Sequence, residues 1–165
     1  MALGFVGHYR SYYINSYLCV MITIDNIRPE ELVCRHIYSV HGRESLKFAD
    51  ERLLKWLQWF RKTIKQEVYI NNWNTGGQFS QRGYRCNLCS LVAEKTATGK
   101  IYASAHTRFQ AVDFEVDDMS SEEVRQWIDR NKENMPVNIR IERSVNWVHV
   151  DVASDSIEKI TYFNG

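Results

Sequence analysis

The strongest pattern of hydrophobic and polar positions lies between residues 50 and 66. Its apolar members recur at the spacing of one α-helical face: Leu53, Leu54, Leu57, Phe60 and Ile64. Asp50 stands just before this pattern, and aspartate is a favoured N-cap residue. The segment therefore predicts an amphipathic helix that begins after Asp50.

Two shorter helices are predicted on either side of it. Residues 29–38 begin with Pro29, and proline suits the first turn of a helix. Residues 120–131 begin with Ser120 and carry Glu123 three positions later, which is the spacing of a capping box.

Segments with alternating apolar and polar positions predict the strands. They are residues 67–73, 110–116, 137–142 and 147–152, with a further candidate at 158–163. In the second of them, Asp113 and Glu115 share one face, opposite a face formed by apolar neighbours. A Gly-rich, polar segment over residues 74–90 predicts a loop, and residues 143–146 predict a tight turn between two strands.

Helices early in the chain and antiparallel strands late are typical of an α+β domain. We predict N-terminal helices that pack on a small, mostly antiparallel sheet. The chain has 165 residues, two prolines and no internal repeat, so residues 25–165 are predicted to form a single domain. Residues 1–24 show no signal-peptide pattern, and we interpret them as an N-terminal extension or docking arm.

Composition and charge narrow the choice of partners. Lysine and arginine number 21 against 20 aspartates and glutamates, and this balance gives no electrostatic reason to expect nucleic acid. The longest apolar run near the start is far shorter than the roughly 20 residues of a transmembrane helix, so no membrane partner is expected.

A metal site is the candidate chemistry. His106 and Asp113 stand seven positions apart at the beginning of a predicted strand, and His149 lies in the predicted strand 147–152. Catalytic zinc usually takes three protein ligands and leaves its fourth position to water. These three residues are candidate ligands of Zn²⁺, although from their spacing alone the favoured interpretation is that they are solvated polar residues on two strand faces.

A general base must stand near the water of such a site. Glu142 is the first candidate, because a turn over residues 143–146 would place it opposite Trp147 and near His149. Asp151 is the alternative base, although its position two residues beyond His149 also suits an acceptor that orients the histidine ring.

The cysteines allow a second interpretation. The chain has four of them, and Cys86 and Cys89 form the only CxxC pair. Cys34 and His36 could complete a structural zinc site with that pair. Ordinary free thiols are the favoured interpretation, and a local disulfide is a further alternative.

The segment "SAHTRFQAVDF" resembles a zinc-binding motif, Ser-x-His-x-x-Gly-x-Ala-x-Asp, of the zinc D-Ala-D-Ala carboxypeptidase family. This family includes the D,D-dipeptidases of vancomycin resistance and the L-alanyl-D-glutamate endopeptidases of phage lysins. Ser104, His106, Ala111 and Asp113 match the motif. The segment "WVHVDV" resembles the closing strand of the family, where the third zinc ligand falls on His149.

A phage-associated branch of that family has stretches similar to "INNWNTGGQFSQRGYR" and "RIERSVNWVHVD", and the resemblance covers roughly residues 25–151. It implies a Hedgehog/DD-peptidase-like fold and zinc-dependent hydrolysis of an amide bond in peptidoglycan stem peptides. It also implies that Glu142 is the catalytic base, and that Arg85 binds a substrate carboxylate or stabilises the oxyanion. A phage or prophage origin would place the protein in a virion or in the host cytoplasm, with action at the cell wall. The N-terminal arm would then contact phage structural proteins.

Two positions depart from the family pattern. Phe109 stands where the motif has glycine, and a bulky residue is strained if that position requires a positive φ. Asn146 stands where many members have the catalytic acid. These departures favour an alternative function, that of a catalytically inactive relative that acts as a virion structural or cell-wall-binding module.

Overall fold

The computed structural model of the chain describes residues 27–165, and the predicted N-terminal arm lies outside the described residues. Within that range the α-helices are α1 Pro29–Leu32, α2 Arg35–His41, α3 Glu51–Ile64, α4 Ser90–Thr96 and α5 Ser121–Asn131. The strands are β1 Val68–Tyr69, β2 Ala111–Val116, β3 Ile139–Arg143, β4 Val148–Asp151 and β5 Ile160–Asn164. Short 3₁₀ segments span Gly42–Phe48, Trp73–Thr75, Ala105–Arg108 and Lys132–Asn134. Helices precede a five-stranded mixed sheet, so the predicted α+β class is confirmed.

The two helices with clear capping signals form where they are predicted. The Asp50 side chain accepts a hydrogen bond of 2.9 Å from the backbone N–H of Arg52 at the start of α3. At the start of α5, the Ser120 hydroxyl accepts from the Glu123 N–H, and the Glu123 carboxylate accepts from the Ser120 N–H. Because both signals act within one helical turn, local sequence was sufficient to predict them.

The predicted helix over residues 29–38 is instead two short helices. Val33 and Cys34 between them are extended because their backbone pairs with a distant segment, through a bridge to Tyr84. The Cys34 N–H donates to the Tyr84 carbonyl at 3.3 Å. This pairing brings the N-terminal helices against the loop that leads to α4, a helix that the sequence pattern did not predict.

The sheet has the strand order β1-β2-β4-β3-β5. Neighbouring strands are antiparallel except β3 and β5, which run parallel. Four predicted strands are found with slightly different ends, whereas the segment 67–73 contributes only β1. It stops early because the next backbone groups bond elsewhere: the Asn71 N–H donates to the Glu31 carbonyl and the Asn72 N–H to the Phe79 carbonyl.

The turn predicted over residues 143–146 is wrong by one position. Arg140 pairs with Asp151 and Ile141 with Val150, so the same register places Glu142 opposite His149 instead of Trp147. The connection consists of residues 144–147. Buried Arg125 holds it there, donating 2.7 Å hydrogen bonds to two of the loop's carbonyl oxygens.

One face of the sheet forms the main core and the other carries the polar residues. Phe114 of β2 packs against Trp56 and Phe60 of α3, with the Phe60 ring centroid 5.2 Å away. Trp127 of α5 packs edge-on against Phe60. In the part of the chain that the structure describes, no helix combines the length and the apolar character that crossing a membrane requires.

Candidate metal centre

A cavity of about 390 Å³ opens on the polar face of the sheet. Asp113 of β2 and His149 of β4 are direct partners across the sheet, and His106 lies in the 3₁₀ turn just before β2. All three side chains are buried and line this cavity. Their donor atoms lie within 4.8 Å of one another, so the three predicted ligands form a group that could hold a metal ion.

Two of the three distances in this group are close to those between ligand atoms of a tetrahedral metal site. Zinc–nitrogen and zinc–oxygen bonds of about 2.0–2.2 Å place neighbouring ligand atoms about 3.3 to 3.5 Å apart. His106 Nε2 lies 3.3 Å from His149 Nδ1 and 3.2 Å from Asp113 Oδ2. The third edge is shorter, because His149 Nδ1 and Asp113 Oδ1 form a hydrogen bond of 2.7 Å. A bound ion would replace that hydrogen bond.

Hydrogen bonds outside the group orient both imidazole rings. His106 Nδ1 donates to the Gly83 carbonyl at 2.8 Å, which leaves its Nε2 lone pair directed into the group. His149 Nε2 lies 3.1 Å from Asp151 Oδ2. When the neutral His149 ring donates its Nε2 proton to Asp151, its Nδ1 lone pair is also directed into the group. Metal-binding histidines generally have such a partner on the second nitrogen.

Asp151 is itself held in place. Arg140 donates two hydrogen bonds to its carboxylate, at 2.8 and 2.9 Å, and the Ala153 N–H donates a third. Burial raises the pKa of Asp151, but the bonds from His149 and Arg140 outweigh it and lower the pKa to about 2. Of the two roles considered for Asp151, this geometry favours orientation of His149 over proton transfer.

The pKa shifts within the group favour a carboxylate on Asp113 and a proton on His149. Burial raises the pKa of the Asp113 carboxyl, but hydrogen bonds with the two histidines hold that pKa well below its usual range. Burial lowers the pKa of His106. Burial also opposes charge on His149, but the carboxylates of Asp113 and Asp151 prevail and raise its pKa to about 9. A bound cation would take over the role of this proton, since metal ions displace protons from their ligands.

Arg85 reaches the group from the loop before α4. Its Nη2 donates to Asp113 Oδ2 at 2.5 Å, and its Nε donates to the Gln81 carbonyl. Arg85 also lines two cavities, the one described above and a neighbour of about 300 Å³ that Phe79 and Trp147 line as well. Arg85 therefore forms an ion pair with a candidate ligand and borders both cavities.

Glu142 lies beside the group on the same face of the sheet. Its register places it opposite His149, and it lines the same cavity. Phe163, its partner on β5, packs edge-on against the His149 ring at 5.7 Å between centroids. Gly165 lies against the Glu142 carboxylate, which would have to shift to make room for a side chain there. A carboxylate in this position can exchange protons with a group bound in the cavity.

Phe109 adopts the left-handed conformation, with φ 55° and ψ 42°. Its ring is buried and stacks on Tyr84, with centroids 5.1 Å apart and planes 7° apart. The position does require a positive φ, and stacking of the aromatic ring offsets the backbone strain of a residue other than glycine. The turn that carries His106 therefore has the left-handed backbone conformation typical of glycine, although the residue in that position is Phe109.

Sequence reasoning missed Arg140 and Phe163, which support Asp151 and His149. The alternation of residues 139–142 does place Arg140 on the same strand face as Glu142, which was an available signal. The partner of Arg140 could not be read from the pattern, because the partner depends on the pairing of β3 with β4.

A larger cavity of about 970 Å³ lies between α5 and the 144–147 loop, and neither histidine nor cysteine is among the described residues that line it.

The described residues contain one further group that could hold a metal ion, formed by Cys34, His36, Cys86 and Cys89. Comparison of the whole chain with protein-family models, with curated proteins and with solved structures finds no match.

Proposed function

We propose that this protein is a zinc-dependent peptidase that hydrolyses an amide bond in peptidoglycan stem peptides. The observation that carries the proposal is the convergence of His106, Asp113 and His149 in a cavity that Glu142 also lines. The resemblance of their motifs to those of zinc D-Ala-D-Ala carboxypeptidases supports the choice of substrate. As in the phage-associated branch, the protein would act at the bacterial wall as part of a phage or prophage, and residues 1–24 would contact other phage proteins.

The group fits zinc in ligand type as well as in distance. Two imidazoles and one carboxylate are a common ligand set of catalytic zinc, and three protein ligands leave one position open. When bound there, zinc would lower the pKa of a water molecule to about 7 and polarise the scissile carbonyl.

The protein's own residues would perform the remaining steps. Glu142 would accept the proton of the attacking water and return it to the leaving amine. Arg85 faces both cavities and would bind a carboxylate of the substrate or the developing oxyanion. Asp151 would keep His149 in the orientation that its hydrogen bond defines.

The shape of the site supports an extended substrate. The two cavities share Arg85, Asp113 and Trp147, so together they form a groove that passes the candidate metal centre. Trp147 is 37% exposed in the 144–147 loop and could pack against a peptide in this groove. Aromatic side chains with one free face commonly bind such ligands.

The test measures cleavage of a stem pentapeptide and of isolated sacculi by the zinc-loaded protein and by the variant Glu142→Gln. We expect the variant to keep its zinc and to lose activity by about 10²- to 10⁴-fold, because only the proton-transfer group is removed. Glu133→Gln is the matched control, since Glu133 is exposed and does not line the cavity. Its activity should equal that of the parent chain.

A different outcome would support the inactive-relative alternative. If the zinc-loaded protein binds sacculi but releases no peptide fragment or D-alanine, the peptidase proposal is wrong and a wall-binding module replaces it. Equal activity of Glu142→Gln and the parent chain would contradict the role of Glu142.

A further inference from the structure

A second group of metal-binding side chains lies between α2 and the loop before α4. Cys34 and His36 come from the start of α2, and Cys86 and Cys89 come from a segment about 50 positions later. The donor atoms of all four lie within 4.8 Å of one another. None of these residues lines the cavity of the His106, Asp113 and His149 group.

The distances match a tetrahedron around zinc. Zinc–sulfur bonds of about 2.3 Å place two sulfurs about 3.8 Å apart, and a sulfur and an imidazole nitrogen about 3.6 Å apart. The Cys86 sulfur lies 3.6 Å from that of Cys34 and 3.9 Å from that of Cys89. His36 Nδ1 lies 3.5 Å from the Cys86 sulfur and 3.9 Å from the Cys89 sulfur.

The surroundings of the group fit a structural site. The three thiols are free and buried, whereas His36 closes the group from the solvent side. Val92, Ile37 and Tyr102 are the apolar residues that pack around the thiols, in a cluster separate from the main core. So small a cluster buries little apolar surface, and a bound metal ion can supply the stability that such a region lacks.

We propose that Cys34, His36, Cys86 and Cys89 bind a structural zinc ion. Three cysteines and one histidine are a common ligand set of structural zinc, and four protein ligands leave no position for water or substrate. Binding would release the protons of the three thiols, because zinc binds thiolates. This proposal does not depend on the peptidase function.

The zinc would hold the loop that supports the other group. Cys86 directly follows Arg85, whose guanidinium bonds Asp113, and Gly83 in the same loop accepts a hydrogen bond from His106. Tyr84 between them bonds the backbone of Leu32 and Cys34. Fixing Cys86 and Cys89 against Cys34 would therefore fix the residues that orient the candidate catalytic ligands.

The test combines zinc analysis with cobalt substitution of the full chain. We expect about two zinc ions per chain, and about one after the double substitution Cys86→Ser and Cys89→Ser. Replacement of zinc by Co²⁺ should produce a thiolate-to-cobalt charge-transfer absorption. That absorption should persist in His106→Ala, which removes a ligand of the other group only. The cobalt spectrum of the unsubstituted chain decides the matter even if the double variant does not fold.

His36→Ala is the milder variant, because His36 is exposed and its removal opens no cavity in the core. It should weaken zinc binding at least about tenfold in competition with a chelator, while His41→Ala on the same helix should not. The proposal is overturned if cobalt gives no thiolate absorption, or if zinc leaves all the thiols open to alkylation. It is equally overturned if the double serine variant keeps the full zinc content.

Discussion

Phe109 combines a backbone conformation suited to glycine with a buried aromatic ring. A residue other than glycine in the left-handed region costs about 1 to 2 kcal/mol. Removal of a buried phenylalanine side chain costs about 3 to 5 kcal/mol. The ring is 1% exposed and stacks on Tyr84, so packing outweighs the strain at this position.

We therefore expect Phe109→Gly to lower the free energy of unfolding by about 1 to 4 kcal/mol, because the lost packing exceeds the relieved strain. Chemical denaturation of the purified protein measures this. Asp118→Gly is the matched control, since Asp118 has φ 54° but is exposed. This control should be unchanged or more stable by up to about 1 kcal/mol. A Phe109→Gly variant as stable as the parent chain would show that packing of the ring does not outweigh the strain.

For single residues, the sequence indicated which side chains form the candidate site better than it indicated their contacts. His106, Asp113 and His149 could be predicted from their spacing and from the family motif. The partner of Arg85 could not, because the guanidinium reaches Asp113 from 28 positions earlier in the chain. Arg140 was missed for the same reason, since its partner is set by strand pairing.

The N-terminus of α3 links that helix to the turn that carries His106. The Asp50 carboxylate accepts hydrogen bonds from Arg52 and from Gln110, and the Asp50 N–H donates to the Phe109 carbonyl. The hydrogen bond with Arg52 is the main reason that the pKa of Asp50 falls to about 2. Asp50 therefore joins the N-terminus of α3 to the turn that carries His106.

We expect Asp50 to make the stability of the protein depend on pH. Its folded-state pKa lies below the value of about 3.9 in an unfolded chain, so its contribution is complete well above that value and is lost as the pH falls toward 2. Because the Arg52 side chain is 41% exposed, solvent screens the pair, and the contribution at neutral pH is on the order of 1 kcal/mol. Asp50→Asn keeps a good N-cap but cannot ionise. The difference in unfolding free energy between parent and variant should therefore narrow between about pH 5 and pH 2.

Comparing the two chains at each pH removes effects that they share, such as loss of metal in acid. A difference that stays constant over this range would mean that the ionised Asp50 contributes nothing to stability.

Elements with local signals were predicted and elements that depend on distant pairing were not. The caps of α3 and α5 lie within their own sequences. The break between α1 and α2, in contrast, results from pairing with Tyr84, and the parallel direction of β5 results from its position beside β3. The hydrophobic pattern within one segment does not indicate which distant segment it will pair with.

One loop, residues 83–89, connects the two candidate metal groups: Cys86 and Cys89 belong to one group, and Gly83 and Arg85 bond side chains of the other. This organisation is only partly visible in the sequence. Cys34 and His36 could be suggested as partners of the CxxC pair, but free thiols were the favoured interpretation. Only the fold shows that the segment carrying Cys86 and Cys89 also bonds His106 and Asp113. In the whole molecule, the N-terminal helices therefore support the metal centre through this loop, in addition to covering the sheet.

Crystals of the full chain grown with zinc, measured at the zinc absorption edge, test the candidate metal centre most directly. We expect an anomalous peak bound by His106 Nε2, Asp113 and His149 Nδ1, with bonds of about 2.0 to 2.2 Å. The hydrogen bond of 2.7 Å between His149 and Asp113 should then be gone. Crystals that show no peak there, with that hydrogen bond intact, would contradict the metal centre and the peptidase function built on it.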